Sequence, residues 1–297
     1  MRSISKKREI TGSLYVIISA ILFGCMPLLT KVAYSHGGNA FSVVLGRFLF
    51  GALFLFILIL VTPGCTVRVS SFYLKDLLKL SILYGITPIS LYMSYDYIDS
   101  GLATTLHFTY PVAVAVVMMI FYKVKLSRKQ IICTLISLSG LVFLYNPGGK
   151  TAALGMAIAV FSGITYAFYI VRMGRSYAKE LHPFVMTFYL SFFSSIEIGV
   201  VALLTGSLTL HIQKEALISE IILSILTVVI ALVLFQRGVY WCGEIKASLL
   251  SSFEPITGLV IGMTVFSEQI TMKELTGIIL ILASVVIMVI PEKTPKR

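Results

Sequence analysis

Long runs of apolar residues, separated by short polar stretches, cover most of the chain. Each run approaches the ~20 residues that a helix needs to cross the hydrocarbon layer of a bilayer. The pattern therefore predicts an all-α membrane protein with ten transmembrane helices. The expected spans lie near Gly12–Tyr34, Ala40–Val61, Leu77–Ile98, Leu102–Tyr122, Ile131–Tyr145, Leu154–Val171, Phe184–Leu204, Glu220–Val239, Ala247–Phe266 and Leu275–Ile290.

One part of the chain is repeated at a constant offset of 144 residues. Residues 103–144 align without a gap on residues 247–288, and Pro111 falls on Pro255. We interpret this as two homologous halves, residues 1–146 and 147–297. Because each half then holds five spans, an odd number, the second half must enter the membrane upside down. We therefore expect two inverted five-helix repeats around a central cavity.

The composition supports a membrane location and excludes several other classes. The chain is 58% hydrophobic and 12% charged, whereas a soluble domain carries about 25% charged residues. The four cysteines show no paired spacing, and a scattered thiol in an apolar stretch is usually a small packing residue. We therefore expect no metal and no cofactor.

The net charge of +11 has a cause other than nucleic-acid binding. With the N-terminus placed in the cytoplasm, nineteen lysines and arginines lie in or beside cytoplasmic loops, and only Lys150, Lys214 and Lys273 lie in outer loops. Such a bias indicates orientation in the membrane. The sequence thus predicts a multi-pass protein with both termini in the cytoplasm and with the lipid bilayer, not nucleic acid, as its surroundings.

Three stretches carry a resemblance to a known family. They are FGCMPLLTK (Phe23–Lys31), GRFLFGALF (Gly46–Phe54) and YIDSGLATTLHFTYPVAVAVV (Tyr97–Val117). With the repeated halves, they resemble the EamA-type branch of the drug/metabolite transporter superfamily. The resemblance implies two inverted five-helix repeats, movement of small metabolites by alternating access, and a place in the cell membrane. Family members often carry a glutamate after spans 4 and 9; here Glu268 follows span 9, but Lys123–Lys125 replaces the other.

Charged residues inside the predicted spans need a reason, because each costs about 2.5–3.5 kcal/mol at the centre of a bilayer. Arg47 and Glu254 lie deep, and Lys31 and Asp96 lie nearer the outer rim. One interpretation is structural, with Lys31 paired to Asp96 and Arg47 paired to Glu254 or Glu197. The other is functional, and we favour it for Glu254.

Glu254 is singled out by its setting. It precedes Pro255, which lacks an N–H and interrupts a helix, and such a break is tolerated where the backbone faces a cavity. The equivalent position in the first half is Tyr110, with His107 one turn earlier. Glu254 or His107 could exchange a proton, or Glu254 could meet a cationic group of a substrate. The candidate helix breaks are Pro27, Pro111 and Pro255.

Deep aromatic and polar residues supply the remaining candidates. Tyr84, Tyr92 and Tyr166 lie where a buried hydroxyl needs a partner, and their rings could either pack the core or hold a cationic group. His107 could equally be a packing residue. The substrate-binding candidates are Tyr84, Tyr92, His107, Tyr110, Tyr166, Gln236 and Glu254.

These features predict a secondary active transporter, an exporter of a small metabolite such as an amino acid. A gradient, with protons as the candidate ion, would drive it, because no nucleotide-binding motif is evident. The same fold could import a cationic nutrient such as choline, and a channel or scaffold is a further alternative. No HExxH motif, histidine cluster or aspartate pair indicates an enzyme, so we expect no catalytic residues. The sequence leaves a monomer and a homodimer equally open.

Overall fold

The computed structural model describes residues 6–98, 100–144, 153–209, 213–266 and 271–289. Within these ranges the regular elements are all helices, so the predicted all-α class is confirmed there. The expected boundary between the halves, at 146–147, lies outside the described residues. So does Glu268, the glutamate that follows the predicted span 9.

The helices follow one another with short connections. In chain order they are α1 (Lys6–Phe23), α2 (Met26–Ser35), α3 (Ala40–Val61), α4 (Ser71–Ser94), α5 (Ser100–His107), α6 (Tyr110–Tyr122), α7 (Arg128–Leu144), α8 (Ala153–Arg175), α9 (Pro183–Leu204), α10 (Lys214–Ser224), α11 (Val233–Cys242), α12 (Glu244–Leu250), α13 (Phe253–Phe266) and α14 (Met272–Val289). A 3₁₀ turn, Tyr177–Glu180, follows α8, and a π-helical segment, Ile225–Leu232, joins α10 to α11.

Seven segments of the described chain are long and apolar enough to cross a membrane. Large apolar side chains are exposed along them, including Leu60 at 66% and Leu204 at 82%. Such surfaces suit contact with lipid tails, not with water. The protein is therefore a multi-pass membrane protein. The segments are Lys6–Ser35, Ala40–Val61, Ser71–Ser94, Ala103–Tyr122, Ala153–Arg175, Pro183–Leu204 and Lys214–Cys242.

Three helices begin six residues earlier than the apolar pattern predicts. α1 starts at Lys6 instead of Gly12, α4 at Ser71 instead of Leu77, and α10 at Lys214 instead of Glu220. In α4 the extra turns are held by Asp76, whose carboxylate binds Arg172 and Ser176 at the end of α8. Hydropathy marks where the apolar run starts, whereas polar tertiary contacts extend the helix beyond it.

Three apolar stretches of the chain are interrupted, each two to four residues before a proline. α1 ends at Phe23 and α2 begins at Met26, before Pro27 at the second position. α5 and α6 are separated before Pro111, and α12 and α13 before Pro255. Proline suits the first turn of a helix because its missing N–H would have no partner there anyway. The last two interruptions occupy positions that the 144-residue offset relates.

The main helix contacts join the part of the chain before residue 145 to the part after residue 152. α3 packs against α9, α7 against α14, and α4 against α8, while α1 packs against α11 and α2 against α10. Each of these contacts joins a helix before residue 145 to one after residue 152. Much of the core therefore lies between the two parts.

Candidate functional site

A continuous column of aromatic rings runs through the centre of the helix bundle. Phe48 contacts Tyr84, with ring centroids 4.8 Å apart, and Tyr84 contacts Tyr169 at 5.2 Å. Tyr169 then stacks on Tyr166 at 6.0 Å, and Tyr166 meets Tyr110 edge-on at 4.8 Å. These rings come from α3, α4, α8 and α6. The column thus marks the point where helices from both parts of the chain converge.

Arg47 on α3 lies at one end of this column and is 3% exposed. Its guanidinium group lies beside the hydroxyl groups of Tyr84 and Tyr92 and 5.5 Å from the centre of the Phe48 ring. Its Nε atom has no hydrogen-bond partner in the described part of the chain. A cation that faces phenol groups instead of a carboxylate remains available to an anionic ligand.

Glu254 lies towards the other end and is 7% exposed. It occupies the first turn of α13, where the helix dipole favours a negative group. Its carboxyl group lies near the side chains of Tyr110 and Tyr166, and within electrostatic range of Arg47. A negative and a positive side chain thus share one buried, ring-lined region.

The ion pairs expected from the sequence do not form. Between described residues, neither Lys31 with Asp96, nor Arg47 with Glu254 or Glu197, comes within ion-pair distance. Glu197 instead accepts a hydrogen bond of 2.7 Å from Ser81 Oγ, while Arg47 faces the phenol groups. The ion pairs in the described chain are Arg172–Asp76, Arg175–Glu244 and Lys246–Glu9.

His107 is buried at the end of α5, with ring centroids 5.4 Å from those of both Tyr110 and Tyr166. Its Nδ1 lies 2.8 Å from Ser162 Oγ. Because the Ser162 hydroxyl donates its one hydrogen to the Ala159 carbonyl at 2.6 Å, we assign the proton of the imidazole to Nδ1. Nε2 is then the acceptor of the ring.

Gln236 lies apart from Glu254, near the end of α8 and the start of α9. Its Oε1 accepts a hydrogen bond of 3.0 Å from Thr187. It also lines a small pocket that is partly open to solvent, together with Lys179, Arg237 and Tyr240. The Gln236 side chain also lies beside Tyr169 of the column.

Several polar atoms of the column are buried without a hydrogen-bond partner among the described residues. Buried polar groups in folded proteins nearly always have one, so each exception calls for an explanation. A polar ligand that enters between these residues would supply the missing partners. The atoms are Arg47 Nε, the hydroxyl oxygens of Tyr84, Tyr110 and Tyr169, and Gln236 Nε2.

The structure adds residues that sequence reasoning did not select. Tyr169 is fully buried and joins Tyr84 to Tyr166, and its spacing of three residues from Tyr166 was the available signal. Ser162, the partner of His107, carries no such signal. Asp76 and Glu220 are both buried carboxylates, but they fell near the edges of the predicted spans.

These features define a class of protein. Several apolar spans surround a buried region that holds unpaired charges and phenol groups, as in proteins that carry polar solutes across membranes. The model of the EamA-like transporter family matches residues 10–146 and again residues 153–290, so the chain belongs to that family. It is accordingly a membrane transporter and not an enzyme.

Individual relatives agree with this assignment. An uncharacterized transporter of Archaeoglobus fulgidus is 25% identical over 276 residues, which cover 93% of this chain and 95% of the relative. An uncharacterized transporter of Clostridium kluyveri is 25% identical over 298 residues, covering 93% and 92%.

A solved structure shares the fold. A crystal structure of a protein superposes with a TM-score of 0.77 at 14% identity, covering 93% of this chain and 95% of that chain. At this identity the similarity concerns the fold alone.

Proposed function

We propose that the protein exports a small zwitterionic metabolite, an amino acid or a related compound, by alternating access. The observation that carries this proposal is the arrangement of Arg47 and Glu254. Both are buried in the same ring-lined region and neither is paired with the other. Arg47 would bind a carboxylate and Glu254 an ammonium group, while the rings of Tyr110 and Tyr166 enclose the side chain.

The proposed architecture is ten spans in two inverted five-helix repeats, residues 1–146 and 147–297. Two separate matches to the family model support it, and so does the packing. The contact of α4 with α8 has its counterpart in that of α11 with α1, and α3 with α9 and α7 with α14 would each pair equivalent helices. Alternating access would then be a rocking of one half against the other.

The proposed setting is the cell membrane, with both termini in the cytoplasm. The excess of lysine and arginine in alternate loops supports this orientation. In that orientation the ion pairs Arg172–Asp76, Arg175–Glu244 and Lys246–Glu9 all lie at the inner ends of helices. The driving force would be a gradient, with protons exchanged at Glu254 or His107.

Import of a cationic nutrient such as choline is a second candidate. The contacts of Tyr110, Tyr166 and Tyr169 form a group of rings beside Glu254, which suits a quaternary ammonium ion. Arg47 distinguishes the two candidates, because a buried cation repels choline but attracts a carboxylate. The amino acid is therefore the better match.

Counterflow in proteoliposomes tests the proposal. Wild type preloaded with an amino-acid mixture should accumulate labelled amino acids, and choline should not compete. Arg47→Gln and Glu254→Gln should each lower uptake at least tenfold, as expected when a charge-assisted hydrogen bond of about 1.5–3 kcal/mol is lost. Glu197→Gln, an intramembrane control outside the column, should keep wild-type uptake.

Wild-type uptake in both Arg47→Gln and Glu254→Gln would refute the proposed site. Exchange of choline but not of amino acids would favour the second candidate.

A further inference from the structure

Glu220 on α10 is a buried carboxyl group that the proposed transport site does not use. It is 2% exposed, and its Oε1 has no hydrogen-bond partner among the described residues. It lies six residues into α10, about 9 Å along the helix axis at 1.5 Å per residue. Its Oε2 lies against the backbone of Gly46 on α3, where any Cβ atom would collide with the carboxyl group. Gly46 therefore makes the room that this side chain occupies.

The neighbouring helices bring no compensating charge to Glu220. α2 and α3 pack against α10, and their charged or titratable residues are Lys31, Tyr34 and Arg47. Lys31 lies on the exposed side of α2. Tyr34 donates its hydroxyl hydrogen to the carbonyl of Tyr92, and Arg47 lies beside phenol groups of the column.

On its own helix, Glu220 is flanked only by residues that offer no positive partner. Lys214 and Glu215 are exposed at the start of α10, and Ser224, one turn further on, is buried with its hydroxyl also lacking a partner. The ion pairs of the described residues do not include Glu220. An isolated carboxylate in such packing carries a large desolvation cost.

Asp76 is a buried acid that does have partners, and it occupies the position equivalent to Glu220. The 144-residue offset that relates the two repeats pairs Asp76 on α4 with Glu220 on α10. Asp76 binds Arg172, the Ser176 hydroxyl and the backbone N–H of Tyr177. These donors occupy both oxygens of its carboxylate within closed packing. Glu220 has none of these partners, so the two equivalent positions hold acids in different chemical situations.

We propose that Glu220 is a proton-binding site that controls closure of α2 and α3 over α10, at the end of the bundle predicted to face outwards. With the carboxyl group neutral, the helices pack as observed. When it loses its proton, the carboxylate needs water, so α2 and α3 must move away. The proton passes from the outer solution to one carboxylate oxygen and returns by the same route, and no other bond changes. This inference rests on the transport function proposed above, because closure has a use only in a transport cycle.

The direct test is infrared difference spectroscopy of the purified full-length protein as pH is changed. A protonated carboxyl group has its own C=O stretching band. Wild type should show bands of this kind that disappear as pH rises, and Glu220→Gln should lack one of them. The matched control Glu197→Gln should keep that band. A second variant, Glu220→Met, replaces the carboxyl group with an apolar side chain and should also lack the band. A spectrum unchanged by both Glu220 substitutions would overturn the proposal, as would loss of the band on adding sodium at constant pH.

Flux measurements separate this proposal from the transport function itself. Glu220→Gln should still exchange substrate in counterflow, but the rate of exchange should no longer depend on the outer pH, whereas Glu197→Gln should respond as wild type. If wild type carries no substrate but shows the Glu220 band, the transport proposal fails and the proton site stands. If the outer pH changes the counterflow rate of wild type and of Glu220→Gln equally, the proton site fails and transport stands.

Discussion

Asp76 shows how a single carboxylate is stabilised where a helix leaves the membrane. Its two oxygens accept hydrogen bonds from the Arg172 guanidinium, the Ser176 hydroxyl and the Tyr177 backbone. The Asp76 side chain is 8% exposed and that of Arg172 39%. The contact thus joins α4 to α8 through an acid that is almost fully removed from solvent.

Replacing Asp76 should destabilise the protein by more than the loss of a surface ion pair. Asp76→Ala leaves the buried Ser176 hydroxyl and a backbone N–H without an acceptor, which costs about 1–3 kcal/mol. Thermal unfolding in detergent should show the loss as a lower midpoint. Glu9→Gln is the matched control, because Glu9 pairs with Lys246 but is 47% exposed, so its loss should cost less than about 1 kcal/mol. Equal midpoints for Asp76→Ala and Glu9→Gln would contradict this explanation.

Residue by residue, the sequence indicated which charges are buried better than it indicated their partners. Arg47 and Glu254 were predicted deep in the membrane, and both are buried. Their predicted ion pairs fail because pairing depends on side-chain direction, which hydropathy does not contain. Asp76 was missed because Lys75 and Lys79 beside it resemble a polar loop, and Arg172, its partner, is 96 residues away in sequence.

At the level of elements, the interrupted helices determine the shape of the centre. The break between α5 and α6 is approached closely by Gly163 of α8: a Cβ atom there would lie 2.5 Å from the His107 carbonyl oxygen. In the same way, a Cβ atom at Gly24 would lie 2.7 Å from the carbonyl oxygen of Glu254, at the start of α13. A glycine next to each break lets a helix of the other part pack directly against it.

Gly163→Ala should therefore damage the site from a distance. The added methyl group meets backbone at the break and cannot be accommodated by rotating a side chain, so His107 and Tyr110 must shift. Overpacking of this kind typically costs about 1–3 kcal/mol, and uptake at limiting substrate should fall with the unfolding midpoint.

Gly199→Ala on α9 is the matched control for this substitution. There the nearest atom to an added Cβ is Leu45 Cδ1, at 3.7 Å, and alanine is favoured over glycine in a helix by roughly 0.5–1 kcal/mol. This variant should be at least as stable as wild type and equally active. If Gly163→Ala behaves in the same way as Gly199→Ala, the close contact at the break is unimportant.

The elements were predictable to different degrees. Helix breaks were predicted at Pro27, Pro111 and Pro255, and the helices are interrupted shortly before each of these prolines. Pro88 lies inside α4 without interrupting it, so a proline alone does not decide where a helix breaks. Gly163 of α8 lies against the break at 108–109, a contact between distant segments that local sequence does not encode.

For the whole molecule, the two parts of the chain depend on each other for their core. α3, α4 and α7 each bury a face against a helix of the other part, and the aromatic column crosses from one part to the other through Tyr84 and Tyr169. A motion of one half relative to the other would therefore open this column and expose Arg47 and Glu254. The proposed transport mechanism follows from this shared core.

The most direct test of that mechanism is access to the centre from both sides of the membrane. Ser251 is 4% exposed and lies beside Tyr110 and near Glu254 in sequence, so Ser251→Cys, in a protein whose native cysteines are replaced, places a thiol at the site. Once counterflow shows that this variant still transports, a membrane-impermeant thiol reagent is applied from either face of oriented vesicles. The account predicts reaction from each face and slower reaction when substrate is present. A thiol that reacts from neither face, or whose reaction substrate leaves unchanged, would contradict it.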